Sequence, residues 1–345
     1  MKNIFLLALS FFILTSASQK ENFNSIFDNY YNEAKGRGNG VCVIILKGSD
    51  TLFSRSQGDI QATTVIPIAS ASKWLSATVI MALVDDGKLS LDDSIGKFLP
   101  NLSAEKRGLT FRHCFSHSSG MPGKNFMAKG LNNRNISMDD CVKDIDANFH
   151  PEHKQGEAFE YGGLSMQLAG HAAEIAGGML FSDLLKKYVT DPLDMKNTSF
   201  NPASSATTNP MIAGGIKSCA NDYLHFLQML LNKGMYNGKR ILSEKSLNEM
   251  LKNEIPENAL IIKSPFDNSN NATLKNEKAR YGIGNWCEIY DPATGIPDLS
   301  SSPGLFGFTP WYDEKHGIIG VISVLSSYQK GGGLYVAMRE EADKE

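Results

Sequence analysis

Apolar positions along the chain change their spacing four times. Phe23, Ile26, Phe27, Tyr30 and Ala34 recur at helical intervals and predict an N-terminal helix. The stretch "GNGVCVIILKGSDTLFSRSQGD" then predicts a hairpin, two β-rich runs meeting around Lys47 to Asp50. Next, Trp74, Leu75, Ala77, Val79, Ile80, Met81, Leu83 and Val84 leave almost no polar face, so this helix is expected to be buried on nearly every side. Gly87 stands where a helix commonly ends in a left-handed residue. From about residue 90 to 250 the pattern is mainly helical, clearest in "YGGLSMQLAGHAAEIAGG" and "ANDYLHFLQMLLNKG", both stopped by glycine. "HPEHKQGEAFE" and "NPASSATTNP" predict loops, and residues 256–278 an irregular polar crossing. Strands return in "RYGIGNWCEIYD", "LFGFTPWYD" and "HGIIGVISVLSS", and "LYVAMREEADKE" predicts a short closing helix.

Strands and a helix at each end, with helices between, predict one sheet assembled from both chain ends, flanked by the terminal helices, with a helical insertion. Residues 19–88 and 275–345 are expected to form a discontinuous α/β sheet domain, and residues 89–274 a helical domain with loops. A cleft is expected where the two meet.

Composition changes this picture little. A formal net charge of −3, with basic and acidic residues interspersed, gives no electrostatic footprint for nucleic acid. The opening "MKNIFLLALSFFILTSASQKENF" reads as a signal peptide over residues 1–18: Lys2 is the positive region, Ile4 to Leu14 the apolar core, and Ser16 to Ser18 the small-residue cleavage site. That apolar run is shorter than the roughly 20 residues a spanning helix needs, so export to a periplasm or the exterior is expected, without a stable membrane anchor. Cys42, Cys114, Cys141, Cys219 and Cys287 are far apart and odd in number, and are expected to be mostly buried free thiols.

The chemistry opens the buried helix. In "IPIASASKWLSATVIMALVDDGKLSLDD", Ser70 and Lys73 are three residues apart and share a helical face. If the helix began at Ser70, its hydroxyl would sit where backbone N–H groups favour developing negative charge. Burial disfavours an ammonium, so Lys73 could take the serine proton, which is the requirement for acyl transfer. The pattern alone is weak, because Ser94/Lys97, Ser103/Lys106 and Ser327/Lys330 match it too, in surroundings that predict solvated surface. The local sequence leaves two readings open: a nucleophile with its base, or an N-cap serine beside a lysine snorkelling to water.

"IPIASASKWLSATVIMALVDDGKLSLDD" resembles the nucleophile helix of the serine β-lactamase and penicillin-binding protein superfamily, in particular its class C and family VIII esterase branch. "LTFRHCFSHSSGMPG", "FEYGGLSMQLAGHAAEIAGG", "DPLDMKNTSF", "GGIKSCANDYLHFLQMLLNKGMYNGKRILSEKSLNEM" and "SSPGLFGFTPWYDEKHGIIGVISV" extend the likeness, in order, over most of residues 40–325. The resemblance implies an α/β (α+β) fold of β-lactamase/transpeptidase type. It implies Ser70 as the acylated nucleophile, Lys73 and Tyr161 as general bases, and the N–H groups of Ser70 and Leu305 as oxyanion hole.

Two motifs depart from the family. The second, Tyr-x-Asn, reads Tyr161-Gly162-Gly163, without the asparagine. The third, a Lys or His before x-Gly on an edge strand, reads Ser302-Pro303-Gly304, without the cation. Gly163, Ser302, Pro303 and Gly304 are expected to line the substrate site. Ser302 offers a hydrogen bond but no charge, so a neutral ester or amide is expected to fit better than a penicillin. The expected protein is an exported serine hydrolase acting on a small-molecule or peptide substrate without cofactor or metal. The alternatives are a β-lactamase or D-alanyl-D-alanine carboxypeptidase, or a catalytically silent binding protein of the same fold.

Other candidates carry less. His113 and His117 lack a third metal ligand at a typical spacing, and the resemblance puts them in a structural helix. His150 and His153 read as surface residues near the cleft, Trp311 and Tyr312 as packing, and Phe126 and Met127 as pocket-lining loop residues. No G-x-S-x-G nucleophile elbow is present.

Overall fold

The computed structural model describes residues 17–34, 40–123, 128–200, 208–263, 279–290 and 293–344. The expected signal peptide therefore lies almost wholly outside the described residues, as do Phe126, Met127 and most of the 256–278 crossing. No helix among the described residues is long and apolar enough to cross a membrane.

The hairpin forms as the sequence predicts, with β1 (Gly40–Lys47) and β2 (Asp50–Gly58) turning through Gly48 at φ 58°. Four more strands come from the C-terminal end: β3 (Trp286–Tyr290), β4 (Pro297–Ser301), β5 (Thr309–Asp313) and β6 (Ile318–Val324). They join β1 and β2 in one antiparallel sheet of order β2-β1-β6-β5-β4-β3. The seam between the chain ends is β1 on β6, with Ile44 opposite Val321.

Both faces of this sheet are covered, which explains why β1 reads as an unbroken apolar run rather than an alternation. Val41, Val43 and Ile45 pack with Phe23 and Phe27 of α1 (Ala17–Ala34) and with Leu334, Tyr335 and Met338 of the C-terminal helix Tyr328–Ala342. Cys42, Ile44 and Leu46 face the opposite way, into the large core shared with α2 (Ser72–Asp85) and the helical part of the chain. Each large side chain so buried contributes roughly 1.5–3 kcal/mol.

In α2 every residue from Ser72 to Leu83 is buried. Its serine and threonine hydroxyls are satisfied by backbone. Ser72 Oγ accepts from Ile216 N–H at 3.0 Å, Ser76 Oγ donates to Ile212 O at 2.8 Å, and Thr78 Oγ1 donates to Trp74 O at 2.9 Å. Residues 72, 73 and 76 share one side of the helix, and that side is stitched to the segment 212–216. The helix ends with Asp86 as cap and Gly87 at φ 65°. The two clearest predicted amphipathic helices form as α3 (Leu164–Gly177) and α4 (Ala220–Leu231), while the predicted closing helix is longer than its sequence signal, spanning Tyr328–Ala342. All five cysteines are buried and unpaired.

Candidate active site

The segment carrying Ser70 departs from expectation at its start. Ile66–Pro67 pairs with Lys217–Ser218, and Ile68 N–H donates to Ile216 O at 3.1 Å. Ala69 then takes a left-handed backbone, φ 45°, although it carries a side chain. Such a conformation costs on the order of 1–3 kcal/mol and persists only where its surroundings impose it. It turns the chain into a single 3₁₀ turn, Ala69–Ala71, before α2 begins at Ser72. Ser70 therefore sits in that turn rather than at the start of the α-helix. The Tyr223 hydroxyl holds the turn by donating to Ala71 O at 2.8 Å.

Lys73, on the first turn of α2, is 2 % exposed. Its Nζ lies 3.0 Å from Ser70 Oγ and donates to Ala213 O at 2.8 Å. No carboxylate among the described residues pairs with it. Burial lowers its pKa from 10.5 to about 7. The comparison with Ser103/Lys106 is instructive, because that pair was expected at the surface. Lys106 is in fact fully buried, but Glu105 at 2.6 Å and Asp146 at 3.2 Å neutralise it. Ser103 Oγ donates to Asp146 at 2.7 Å, which occupies its proton. Two buried Ser-x-x-Lys pairs thus differ in whether an acid accompanies the lysine. Only at Ser70 is the amine free of one.

Tyr161 arrives from a distant loop just before α3. Its hydroxyl is hydrogen-bonded to Ser70, and its ring centroid lies 4.6 Å from Lys73 Nζ. The ring is held on three sides: stacked on Trp286 of β3 at 5.4 Å, edge-on to Tyr281 at 5.9 Å, and against His117 at 4.5 Å. Burial drives the phenol above its ordinary pKa, only partly offset by the bond to Ser70. Tyr161 therefore keeps its proton at neutral pH. Of the two groups expected to act as bases, only Lys73 has its pKa moved towards neutrality, while the Tyr161 phenol is held protonated.

His117 does not share a helical face with His113. The helix there is only Phe111–Phe115, and His117 lies beyond it at φ 59°. Its Nδ1 accepts from Gly162 N–H at 3.4 Å, beside Tyr161 in the chain. Burial, and then the nearby Lys73 charge, hold it well below its usual pKa, so it is neutral. The one cluster with metal-ligand geometry among the described residues is elsewhere: Asp313, His316 and Asp343.

The third-motif residues lie beside Ser70, though not on the edge strand. They follow β4, an interior strand, with β3 outside it. Ser302 Oγ donates to the Ser70 carbonyl at 3.3 Å. Gly304 packs so closely that an added Cβ would stand 2.3 Å from Ile68 O. Gly304 N–H donates to Phe308 O and Gly307 N–H to Gly304 O, closing a turn from which Leu305 projects, 66 % exposed. Pro303 sits just past the ladder, where its missing N–H costs no sheet bond. Gly163 caps α3. A cavity of about 590 Å³ lies elsewhere, between Glu105, Ser119 and the loop carrying His153, and is lined by none of Ser70, Lys73 and Tyr161.

Residues 23–340 match the family pattern for beta-lactamases. The chain belongs to the beta-lactamase family. A Bacteroides dorei DSM 17855 protein, assigned provisionally to the beta-lactamases, is 29 % identical, with a TM-score of 0.81 over 94 % of this chain and 98 % of that one. A family VIII carboxylesterase shares the fold at 17 % identity, with a TM-score of 0.75 over 96 % of this chain and 98 % of that one. The curated relatives include protein flp of Staphylococcus aureus strain MW2, 25 % identical over 54 % of this chain, and the Escherichia coli K12 D-alanyl-D-alanine-carboxypeptidase/endopeptidase AmpH, 22 % identical over 64 %. The match spans only 39 % of flp and 65 % of AmpH.

Within this beta-lactamase family framework, no side-chain amide stands at the third position of the second motif, where Gly163 replaces the asparagine. The second partner of Lys73 is the Ala213 carbonyl, a main-chain group that side-chain identity cannot announce. Sequence reading also passed over the rings that fix Tyr161. The signal for His117 lay in "HSSG", and that for the Ala213 segment in "GGIKS".

Proposed function

We propose that this chain is a serine hydrolase that cleaves an ester or amide through an acyl-enzyme on Ser70. The observation that carries the reading is the buried, acid-free contact of Lys73 Nζ with Ser70 Oγ at 3.0 Å, with its pKa lowered to about 7. An ordinary lysine would be neutral in roughly one molecule per thousand at physiological pH. This one is neutral in a large fraction, and an amine lone pair facing a hydroxyl is a general base.

Lys73 takes the Ser70 proton as Oγ bonds to the substrate carbonyl carbon. The N–H groups of Ser70 and Leu305 are the proposed donors to the oxyanion. As the intermediate collapses, the bond to the leaving oxygen or nitrogen breaks and Tyr161 supplies the proton that group needs, drawing on the one Lys73 received. Water then adds to the acyl carbon, passing a proton to Lys73. The acid leaves, and Ser70 recovers its proton. The N-terminal leader signature supports an exported location.

The test is labelling with a fluorophosphonate, a p-nitrophenyl ester and a labelled penicillin, against Ser70→Ala. Ser70-dependent ester turnover without stable penicillin adduct is expected. A lasting Ser70–penicillin adduct would instead indicate a penicillin-binding enzyme. Indifference to all three reagents would leave a silent binding protein.

A further inference from the structure

The third motif brings no cation to Ser70, but two cations border a separate cavity that adjoins the turn carrying it. The chain leaves the Ala213 carbonyl, which holds Lys73, and runs through Gly214 to Lys217 along a cavity of about 280 Å³. Pro67, Phe200 and the backbone of Gly214–Ile216 form its walls, and two cations, Arg134 and Lys217, border it with no acid among its lining residues. The cavity abuts the nucleophile turn. The Cβ position of Gly214 is 3.9 Å from the Ala69 carbonyl, and Pro67 lies three residues before Ser70.

Arg134 is held in place without being neutralised. Its Nη1 donates to Asn209 O at 3.1 Å. Asn209 is fully buried and immobilised, donating to Gly130 O at 2.9 Å and Asn133 O at 2.7 Å and accepting from Gln167 Nε2 at 3.0 Å. The other edge of the guanidinium lies over Gly215, where a Cβ would stand 3.1 Å from Nη2. A glycine there gives the guanidinium its seat. No carboxylate among the described residues pairs with Arg134 or Lys217. An oriented guanidinium beside apolar walls, with donors to spare, matches a planar oxyacid. The partly apolar surroundings strengthen that attraction relative to open water.

We propose that Arg134, supported by Lys217, forms a carboxylate-binding subsite, and that the preferred substrate is an ester or amide bearing a free carboxylate on the Gly214–Lys217 side of Ser70. This rests on the hydrolase reading and revises the expectation of a neutral substrate. The contact is made in ground state and transition state alike, so it acts chiefly on KM.

The test compares p-nitrophenyl butyrate with mono-p-nitrophenyl glutarate, and adds the butyrate ester of 4-hydroxybenzoate, which places the carboxylate on the leaving group. One of the two anionic esters is expected to exceed the neutral one in kcat/KM by about tenfold at low salt, a single charge-assisted contact. In Arg134→Gln that ratio is expected to collapse towards one through KM, with Arg134→Lys between. Because Arg134 is at the surface, circular dichroism of the variants is expected to match the parent. Binding of glutarate to Ser70→Ala, measured by calorimetry and lost in Ser70→Ala/Arg134→Gln, reads the subsite without turnover. Ser70-dependent hydrolysis with equal rates on all three esters, or a preference untouched by Arg134→Gln, overturns the subsite and leaves the hydrolase standing. No Ser70-dependent turnover of any ester overturns both.

Discussion

At the scale of single residues, the site is a problem in desolvation. Lys73 and Lys106 are both buried, and both lie three residues after a serine. Lys106 keeps two carboxylates beside it and closes a structural contact, whereas Lys73 has a hydroxyl, a carbonyl and an aromatic face. The pattern Ser-x-x-Lys was legible at all four places, and the apolar helix singled out the one whose buried lysine has no acid beside it among the described residues. The distinction by missing acid was not legible, because Asp146 is 40 positions from Lys106 in the chain. Tyr161 was placed by resemblance, but its protonation state was not, since burial by Trp286, Tyr281 and His117 comes from three separate segments. In the proposed role of proton donor, Tyr161 is expected to matter for turnover more than binding. Tyr161→Phe should lower kcat by roughly 10²–10⁴ with KM little changed, and the loss should shrink for esters whose leaving group needs no proton, such as p-nitrophenolate. A uniform loss across leaving groups would assign the ring a purely structural role.

At the scale of elements, three pieces of backbone converge on one turn. The 3₁₀ turn at Ala69–Ala71, the segment 212–216 and the segment after β4 meet through Ser72, Ser76, Lys73 and Ser302. The hydrophobic pattern predicted β1, β2, α2 and the glycine stops, because each is set by local periodicity or by a backbone only glycine adopts readily. It did not predict β4, whose sequence "PDLSS" has little strand character and gains it from the neighbours on both sides. Nor did it place the third motif beyond an interior strand, since strand order is a property of the sheet. Gly304 is where this convergence is tightest. Gly304→Ala should push the turn carrying Leu305 away from Ile68, with a loss in kcat of about 10²–10³, the cost of misplacing an oxyanion donor. Melting temperature should fall far less than activity. An unchanged kcat would show that the 302–305 segment does not serve the reaction.

At the scale of the whole molecule, the two chain ends build the sheet and its outer cover, while the middle of the chain buries Lys73. These roles are separable. Met338 is fully buried against the outer face of the sheet, in the core that also holds Phe23 and Trp311, and that core is distinct from the one enclosing α2. Met338→Ala should cost about 2–5 kcal/mol in chemical denaturation, while the pH at which activity is half-maximal stays where it was. A shift in that pH would mean the outer core tunes the site. The central claim is that the fold strips Lys73 of its proton so that it can activate Ser70. A folded-state pKa lowered from 10.5 to about 7 makes the reactive form dominant above that pH and scarce below it. The most direct measurement is the rate of Ser70 acylation by a neutral p-nitrophenyl ester in single-turnover mixing from pH 5 to 9. The rate is predicted to rise about tenfold per pH unit at the acid end, bend near pH 7, and vanish in Lys73→Gln. A profile with no bend below pH 9, or acylation that survives in Lys73→Gln, would contradict it.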